Sequence, residues 1–173
     1  MILFDPSVGS DSVPDRQSVR RSAADAIPRN ERLPAVRTLG AFLREAREAV
    51  RVRGQVTVLL TSDAAIRRLN KQFRGKNKAT DVLSFPAGDF AGDSAGDLAI
   101  SVETARKQAR EQGHALGVEI KVLMLHGLLH LVGYDHETDN GEMARRERLL
   151  RGRLGLPQGL IERARTKRAE ARP

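Results

Sequence analysis

The chain has 173 residues, of which 40% are hydrophobic, and it carries a formal net charge of +8. This length fits a single domain with its own core, here taken as residues 1–173. The absence of cysteine excludes disulfides and thiolate metal ligands. No run of about 18 apolar residues is present, so no membrane-spanning helix is predicted. The start of the chain, MILFDPSVGS, lacks a basic segment and a long apolar core, so we expect no signal peptide and a cytoplasmic location.

The positive charge is concentrated near the C-terminus. From Gly141 to Pro173 there are ten Lys or Arg residues against four Glu residues. Clustered cations favour binding to a phosphate backbone because counterions are released, and the arginine fork suits phosphate oxygens. A solvated helix face followed by a basic tail, residues 158–173, is an equally good interpretation of the composition.

The first half of the chain is predicted to hold two strands and two helices. Residues 7–30 are polar, show no period and are predicted to form a mobile connection. The helices are indicated by apolar residues at three- and four-residue steps, and the second follows an N-cap at Thr61-Ser62-Asp63. In order, the elements are an edge strand from Met1 to Phe4, a helix around Val36 to Val50, a buried strand from Gln55 to Leu60 and a helix that ends at Gly75.

The second half of the chain is organised around one helix, Val118 to Val132, that is apolar nearly all round and must therefore be covered on most sides. With about five helices and three or four strands, the sequence predicts an α+β domain with a small sheet on one side of this helix. The strand order cannot be read from the sequence. The other elements are strands from Asp81 to Phe85 and from Asp97 to Val102, a helix from Glu103 to Gln112, and a last helix from Thr138 or Asp139 to Gly155.

Three of the four histidines lie in LMLHGLLHLVGYDH, from Leu123 to His136. His126 and His130 are four residues apart, so on a helix they share one face. Gly133 is predicted to end the helix in the left-handed conformation, which lets the chain turn back and bring His136 to the same point. Three histidines with one open position are typical of a catalytic zinc site, although cobalt, nickel or copper would suit the same ligands.

The alternative for each histidine is a hydrogen-bonded core residue. His114 lies outside the cluster and is predicted not to be a ligand. The residue after His126 is Gly127, whereas the zinc peptidase motif HExxH places a glutamate general base there. Peptidase chemistry of that kind is therefore excluded, and metal-assisted hydrolysis of another bond is still possible.

The segment HGLLHLVGYDH resembles the signature of the YbeY family of bacterial metal-dependent endoribonucleases, which act in ribosomal RNA maturation and ribosome quality control. The resemblance extends to LNKQFRGKNKATDVLSFP and GDLAIS, and it covers roughly residues 33–157. It implies a four-stranded mixed sheet and one zinc ion per chain, held by His126, His130 and His136. It also implies a zinc-dependent endoribonuclease that prefers single strands and acts on 16S ribosomal RNA, with ribosomal RNA and ribosomal particles as partners and no membrane.

The resemblance further implies a catalytic role for Arg74, which stands in the family's motif and would add a cation near the transition state. The alternative for Arg74 is a helix C-terminal cap. Lys76 and Lys78 follow it in a basic loop and are expected to bind RNA together with Arg74.

Three aspartates lie in or beside the matched motifs: Asp81, Asp97 and Asp135. Each could cap a turn, orient a ligand histidine from behind, or transfer a proton. The only tyrosine, Tyr134, is predicted to be a packing residue.

Two other functions fit the same residues. The first is a ribosome-associated RNA-binding factor in which the metal is structural, and the second is a zinc hydrolase of another substrate. An open fourth metal position favours an enzyme, whereas a fourth protein ligand would favour the binding factor. The attacking group, zinc-bound water or the RNA 2′-hydroxyl, is left open by the sequence.

Overall fold

The computed structural model describes residues 1–6, 8, 27–88, 92–157, 159, 161 and 163. Within these residues, four strands and five α-helices form the predicted α+β fold. The predicted mobile connection falls largely outside them, although Arg29–Glu31 forms a short 3-10 turn. The elements are β1 (Ile2–Phe4), α1 (Val36–Val50), β2 (Gln55–Thr61), α2 (Asp63–Arg74), β3 (Val82–Pro86), β4 (Ser94–Ser101), α3 (Val102–Glu111), α4 (Leu116–Leu131) and α5 (Glu142–Leu154).

The four strands form one mixed sheet in the order β1-β2-β4-β3. Strands β1, β2 and β4 are parallel, and β3 runs antiparallel to β4 at the edge. Side chains alternate along β4, so Leu98 and Ile100 face one side of the sheet and Ala99 faces the other. Helices α1, α4 and α5 contribute to the core on the first side, whereas α2 packs on the second.

Strand β4 begins at Ser94, three residues before the predicted start. Its register against β2 shifts, because Gln55 pairs with Ser94 and Val56 with Gly96, which leaves one extra residue on β4. Gly96 has a φ of 134°, and a side chain there would overlap the carbonyl oxygen of Phe85. The predicted start at Asp97 was therefore wrong, since small residues here pair in a bulged strand without any hydrophobic alternation.

The start of α2 confirms the predicted cap, the start of α3 is capped in the same way, and the start of α5 corrects a boundary. The hydroxyl oxygens of Ser62 and Ser101 accept hydrogen bonds from the first turns of α2 and α3. Helix α5 was predicted to start at Thr138 or Asp139 but begins after Gly141, whose φ is 85°. The carboxylate of Asp139 instead accepts hydrogen bonds from the backbone N–H groups of Gly141 and Met143.

Helix α4 is the centre of the core, as its composition predicts. It begins at Leu116, and an unbroken run of eight residues from Val122 to Leu129 is buried. No single helix in the described ranges is long and apolar enough to cross a membrane. Helices α3 and α4 pass that test only as a pair, and they are bent by 111° at the break between them.

Gly127 allows α4 to lie directly on the sheet. A Cβ at this position would be 2.8 Å from Cδ2 of Leu98 on β4 and 3.3 Å from Oγ of Ser84 on β3. The Ser84 hydroxyl donates to the carbonyl oxygen of Gly127 at 3.3 Å. In the sequence, Gly127 was notable only because it stands where the zinc peptidase motif has a glutamate. The structure shows that it also allows close packing of the helix between His126 and His130.

We expect Gly127→Ala to lower the free energy of unfolding. Overpacking a core costs about 1–3 kcal/mol, and Leu98 is 1% exposed with little room to move. The helix-propensity gain of about 0.5–1 kcal/mol offsets only part of this cost. The control is Gly40→Ala on α1, where a Cβ meets nothing within 4 Å. Chemical denaturation should show Gly40→Ala equal to or more stable than the parent, and a stabilised Gly127→Ala would contradict the close approach.

Candidate metal centre

The three predicted histidines come together at the C-terminal end of α4. The Nε2 atoms of His126 and His130 are 3.1 Å apart, and one ligand atom from each of the three histidines lies within 4.8 Å of the others. Helix α4 ends as predicted, with Gly133 at a φ of 91°, and the following turn brings the ring of His136 to 5.2 and 5.3 Å from the other two rings. The group therefore combines two histidines from the last turns of α4 with one from the turn that follows the helix.

The donor set fits a divalent metal such as zinc. Zinc–nitrogen bonds of roughly 2.0–2.1 Å in a tetrahedral site require nitrogen–nitrogen separations of about 3.3 Å. The separation of 3.1 Å between His126 and His130 is close to this value, and His136 needs only a small ring movement to join them. Among the described residues, no fourth His, Cys, Asp or Glu belongs to the group.

The surroundings of His130 and His136 favour the neutral form of their rings. The pKa of His130 is lowered to about 4, mainly by burial and also by the neighbouring His126 and His136. Burial is also the main reason that the pKa of His136 is lowered, followed by the charge of His126. Because a neutral imidazole offers a nitrogen lone pair to a metal, His130 is ready to be a ligand at neutral pH.

The lowered pKa of His130 predicts a pH-dependent stability for the metal-free protein. Between pH 6.5 and about 4 the unfolded chain binds a proton at this residue and the folded chain does not, so stability falls as the pH falls through this window. We expect urea denaturation to give a lower free energy of unfolding at pH 5 than at pH 7.5. His130→Asn should reduce this difference, and an equal pH dependence in both proteins would refute the assignment.

A buried glutamate lies behind His126. Oε1 of Glu147 on α5 is 3.1 Å from Nδ1 of His126, and the two side chains are 1% and 5% exposed. The sequence analysis missed Glu147, which is 21 residues from its partner. A signal was present, because Glu147 shares the buried face of α5 with Met143, Ala144 and Leu150.

The histidines line a cleft of about 510 Å³ that runs between the α4–α5 connection and strand β3. The cleft places the three histidines beside residues of the matched motif LNKQFRGKNKATDVLSFP, whereas none of its described lining residues belongs to GDLAIS. Its described lining consists of Arg74, Thr80, Asp81, Val82, Ser84, Pro86, His126, His130, Gly133, Tyr134, Asp135, His136, Glu137 and Ile161.

Arg74 lies in the wall of this cleft and does not cap its helix. The end of α2 is capped by backbone groups, since the N–H groups of Gly75 and Lys76 bond to the carbonyl oxygens of Lys71 and Asn70. The Arg74 guanidinium instead reaches β3, where Nη2 donates to the carbonyl oxygen of Ser84 at 3.4 Å. Its long contact leaves the remaining donors available to a ligand in the cleft.

Lys76 and Lys78 are exposed in the loop after Arg74 and do not line the cleft. The loop is fixed from below by Asn70, which is 3% exposed and donates from Nδ2 to the carbonyl oxygen of Lys78 at 2.8 Å. Because Asn70 holds the loop through a backbone carbonyl, the side chains of Lys76 and Lys78 are not needed to fix the loop.

The three aspartates have different places. Asp81 lines the cleft, but its oxygens accept hydrogen bonds from Val82 N–H and Gln108 Nε2. Asp97 is not brought to the histidines. It alternates with Leu98 and therefore lies on the opposite face of the sheet, in an apolar groove with Phe73 and Phe85.

Asp135 holds the turn that presents His136. Its carboxylate accepts hydrogen bonds from Glu137 N–H and the Thr138 hydroxyl, and these bonds keep the pKa of Asp135 below its usual range. Tyr134 is partly buried against the core, in agreement with a packing role, and it also lines the cleft.

His114 lies outside the metal group, in agreement with its prediction. Its Nε2 is 2.5 Å from Oε2 of the fully buried Glu119, and Arg163 donates to the other oxygen of that carboxylate at 2.7 Å. Two further arginines of the basic C-terminal region, Arg146 and Arg151, donate to the backbone oxygens of Ala49 and Pro157. Part of the positive charge near the C-terminus therefore holds the fold together. The predicted basic tail 158–173 lies almost wholly outside the described residues.

The fold and the site together define an α+β domain with a group of three histidines, able to hold a metal ion, beside an open cleft. The family model described as Endoribonuclease YbeY matches residues 24–155, and the chain belongs to this family.

Curated relatives of the chain carry the same description. Endoribonuclease YbeY of Koribacter versatilis is 54% identical over 132 residues, which cover 73% of this chain and 82% of that protein. Endoribonuclease YbeY of Solibacter usitatus is 49% identical over 152 residues, which cover 88% and 97%. A solution structure of protein TM1509 from Thermotoga maritima is 32% identical with a TM-score of 0.46, over 67% of this chain and 81% of that one.

Proposed function

We propose that this protein is a zinc-dependent endoribonuclease that prefers single-stranded RNA and acts in 16S ribosomal RNA maturation and ribosome quality control. Family membership supports cleavage of RNA by this chain. The observation that carries the proposal is the group of three histidine nitrogens at the wall of an open cleft. Such a donor set leaves a metal position for substrate, which an RNA-cleaving enzyme needs and a structural site does not.

His126, His130 and His136 would hold the zinc ion, and a bound zinc ion supplies a Lewis acid next to the scissile phosphate. Arg74 faces the same cleft and binds a non-bridging phosphoryl oxygen with the donors that Ser84 does not use. Lys76 and Lys78 bind backbone phosphates on either side of the cleaved position. Among the acidic residues in the wall, Asp81 is the one proposed to accept or return a proton, although its oxygens also accept hydrogen bonds from Val82 N–H and Gln108 Nε2.

The shape of the cleft supports the proposed preference for single-stranded RNA. One wall is the edge strand β3 and the other is the α4–α5 connection, so the histidines lie within a cleft of about 510 Å³ and not on a flat surface. A separated strand is narrow and flexible enough to place one phosphate inside, whereas a duplex presents its phosphates on a broad rigid surface. Ribosomal RNA and ribosomal particles are the proposed partners, and the cytoplasm is the proposed location.

The second candidate is a ribosome-associated RNA-binding factor with a structural metal. The extensive hydrogen bonding of Asp81 and Asp135 favours it, because these two carboxylates of the cleft wall already have partners in the fold. In that case the protein would bind RNA without changing it.

The test is incubation of zinc-loaded protein with single-stranded RNA, duplex RNA and single-stranded DNA of one sequence. We expect internal cleavage of single-stranded RNA at a rate well above that of the duplex. The product ends identify the attacking group, since a 2′,3′-cyclic phosphate requires the 2′-hydroxyl and cleavage of DNA excludes it. Binding of all RNA forms without any cleavage would favour the second candidate.

A further inference from the structure

Glu147 is a buried carboxylate that the proposed cleavage reaction does not use. It is 1% exposed, and only one of its oxygens, Oε1, has a partner, which is Nδ1 of His126 at 3.1 Å. The other oxygen, Oε2, is buried and finds no hydrogen-bond donor in the described part of the chain. Burying a carboxylate with one oxygen unpaired is costly, so its retention on the core face of α5 requires an explanation.

The contact lies on the far side of the His126 ring from the metal group. Nε2 of His126 is the atom that faces His130, at 3.1 Å, so the carboxylate acts on the opposite nitrogen. An ionised carboxylate only accepts hydrogen bonds, and Nδ1 must therefore carry the proton. With Nδ1 protonated, the lone pair of His126 is on Nε2, where a metal would bind.

A second contact holds Glu147 in this position. Gly159 packs against the carboxylate so closely that a Cβ there would lie 2.6 Å from Cδ of Glu147 and 3.0 Å from Cδ of Arg151. Gly159 and Ile161 are both buried, and Ile161 also lines the metal cleft. The close approach of Gly159 thus restricts the Glu147 carboxylate on the side away from His126's metal-facing nitrogen.

We propose that Glu147 is a positioning residue for the metal centre, which fixes His126 as the Nδ1-protonated tautomer and is itself held in place by the close approach of Gly159. This inference rests on the proposed function, because it assumes that the three histidines bind a divalent metal. The carboxylate raises the basicity of the ligand nitrogen and restrains the ring, so its loss weakens the metal and leaves the three ligands present.

The chain offers a matched control for Glu147→Gln. Glu119 is also a fully buried glutamate that contacts a histidine, His114, but that pair lies outside the metal group. Glu119→Gln therefore removes the same charge from the same kind of contact without touching the centre. A similar pair exists for glycine, because Gly159→Ala displaces Glu147 whereas Gly152→Ala on α5 meets nothing within 4 Å.

The experiment measures Co²⁺ affinity by chelator competition, together with the visible absorption of the bound cobalt, in the full chain and the four variants. Glu147→Gln and Gly159→Ala should bind Co²⁺ about ten- to a hundredfold more weakly than the parent, with an altered cobalt spectrum. Glu119→Gln and Gly152→Ala should bind as the parent does, even if Glu119→Gln lowers the melting temperature.

A measurement on the metal-free parent decides the tautomer independently of any variant. Long-range ¹⁵N–¹H NMR of the imidazoles should show His126 protonated at Nδ1, and protonation at Nε2 would overturn the inference even if Glu147→Gln does not fold. A parent that binds no Co²⁺ would refute the metal centre itself. A parent that binds Co²⁺ while Glu147→Gln binds it equally tightly would refute only the role of Glu147.

Discussion

Replacing Arg74 by lysine is expected to give a folded, metal-loaded and nearly inactive protein. Lysine keeps the positive charge but replaces a planar, two-pronged donor with a point charge on a flexible stem, so the fixed geometry of the guanidinium donors toward a phosphoryl oxygen is lost. Loss of one preorganised donor to the transition state lowers cleavage by about a hundredfold or more. Single-turnover cleavage of single-stranded RNA by the zinc-loaded variant measures this effect.

The structure indicates that a loss of cleavage in Arg74→Lys would not come from a destabilised fold. Backbone N–H groups cap the end of α2, and the contact from Arg74 to Ser84 is a long one of 3.4 Å, so the melting temperature should stay close to that of the parent. Arg67→Lys is the matched control, because Arg67 is exposed on the same helix and does not line the cleft. Equal cleavage rates for Arg74→Lys and Arg67→Lys would refute a catalytic role for Arg74.

The second large effect is expected from His130→Ala, which should lose most of the bound zinc. His130 is the middle member of the group, with Nε2 at 3.1 Å from that of His126, and its removal leaves two ligands where a tetrahedral site needs at least three from the protein. Zinc content is measured by elemental analysis after purification without chelator. We expect about one zinc per chain in the parent and a small fraction of that in the variant.

His114→Ala provides the control for this loss. It removes the fourth histidine of the chain, which pairs with Glu119 away from the centre, and should therefore leave the zinc content unchanged. A variant that lacks both His126 and His130 and still holds a full equivalent of zinc would show that the metal binds elsewhere.

The group of three histidines could be predicted from the sequence because its geometry is local. Helical periodicity places His126 and His130 on one face, and Gly133 supplies the turn that returns His136, so no long-range contact has to be known. Glu147 could not be assigned in the same way, since its contact with His126 depends on how α5 packs against α4. A glutamate on the buried face of α5 indicates that its carboxylate has a polar partner in the core. The sequence does not show which residue that partner is.

The sheet illustrates the same limit. Strand existence followed from composition, but the order β1-β2-β4-β3 and the bulge before Gly96 depend on pairing between distant segments. Asp97 was grouped with the metal centre because it lies in a matched motif. Side chains alternate along β4, which places Asp97 on the opposite face of the sheet from Leu98. This alternation predicts the location of Asp97 better than its membership of a motif does.

The most direct test of the account is RNA cleavage as a function of zinc bound per chain. Metal-free protein is titrated with zinc, and single-turnover cleavage of single-stranded RNA is measured at each occupancy for the parent and for a variant lacking both His126 and His130. The account predicts no cleavage without metal, a linear rise that stops at about one zinc per chain, and no response in the variant. Cleavage at parental rates by the metal-free protein or by the double variant would contradict it.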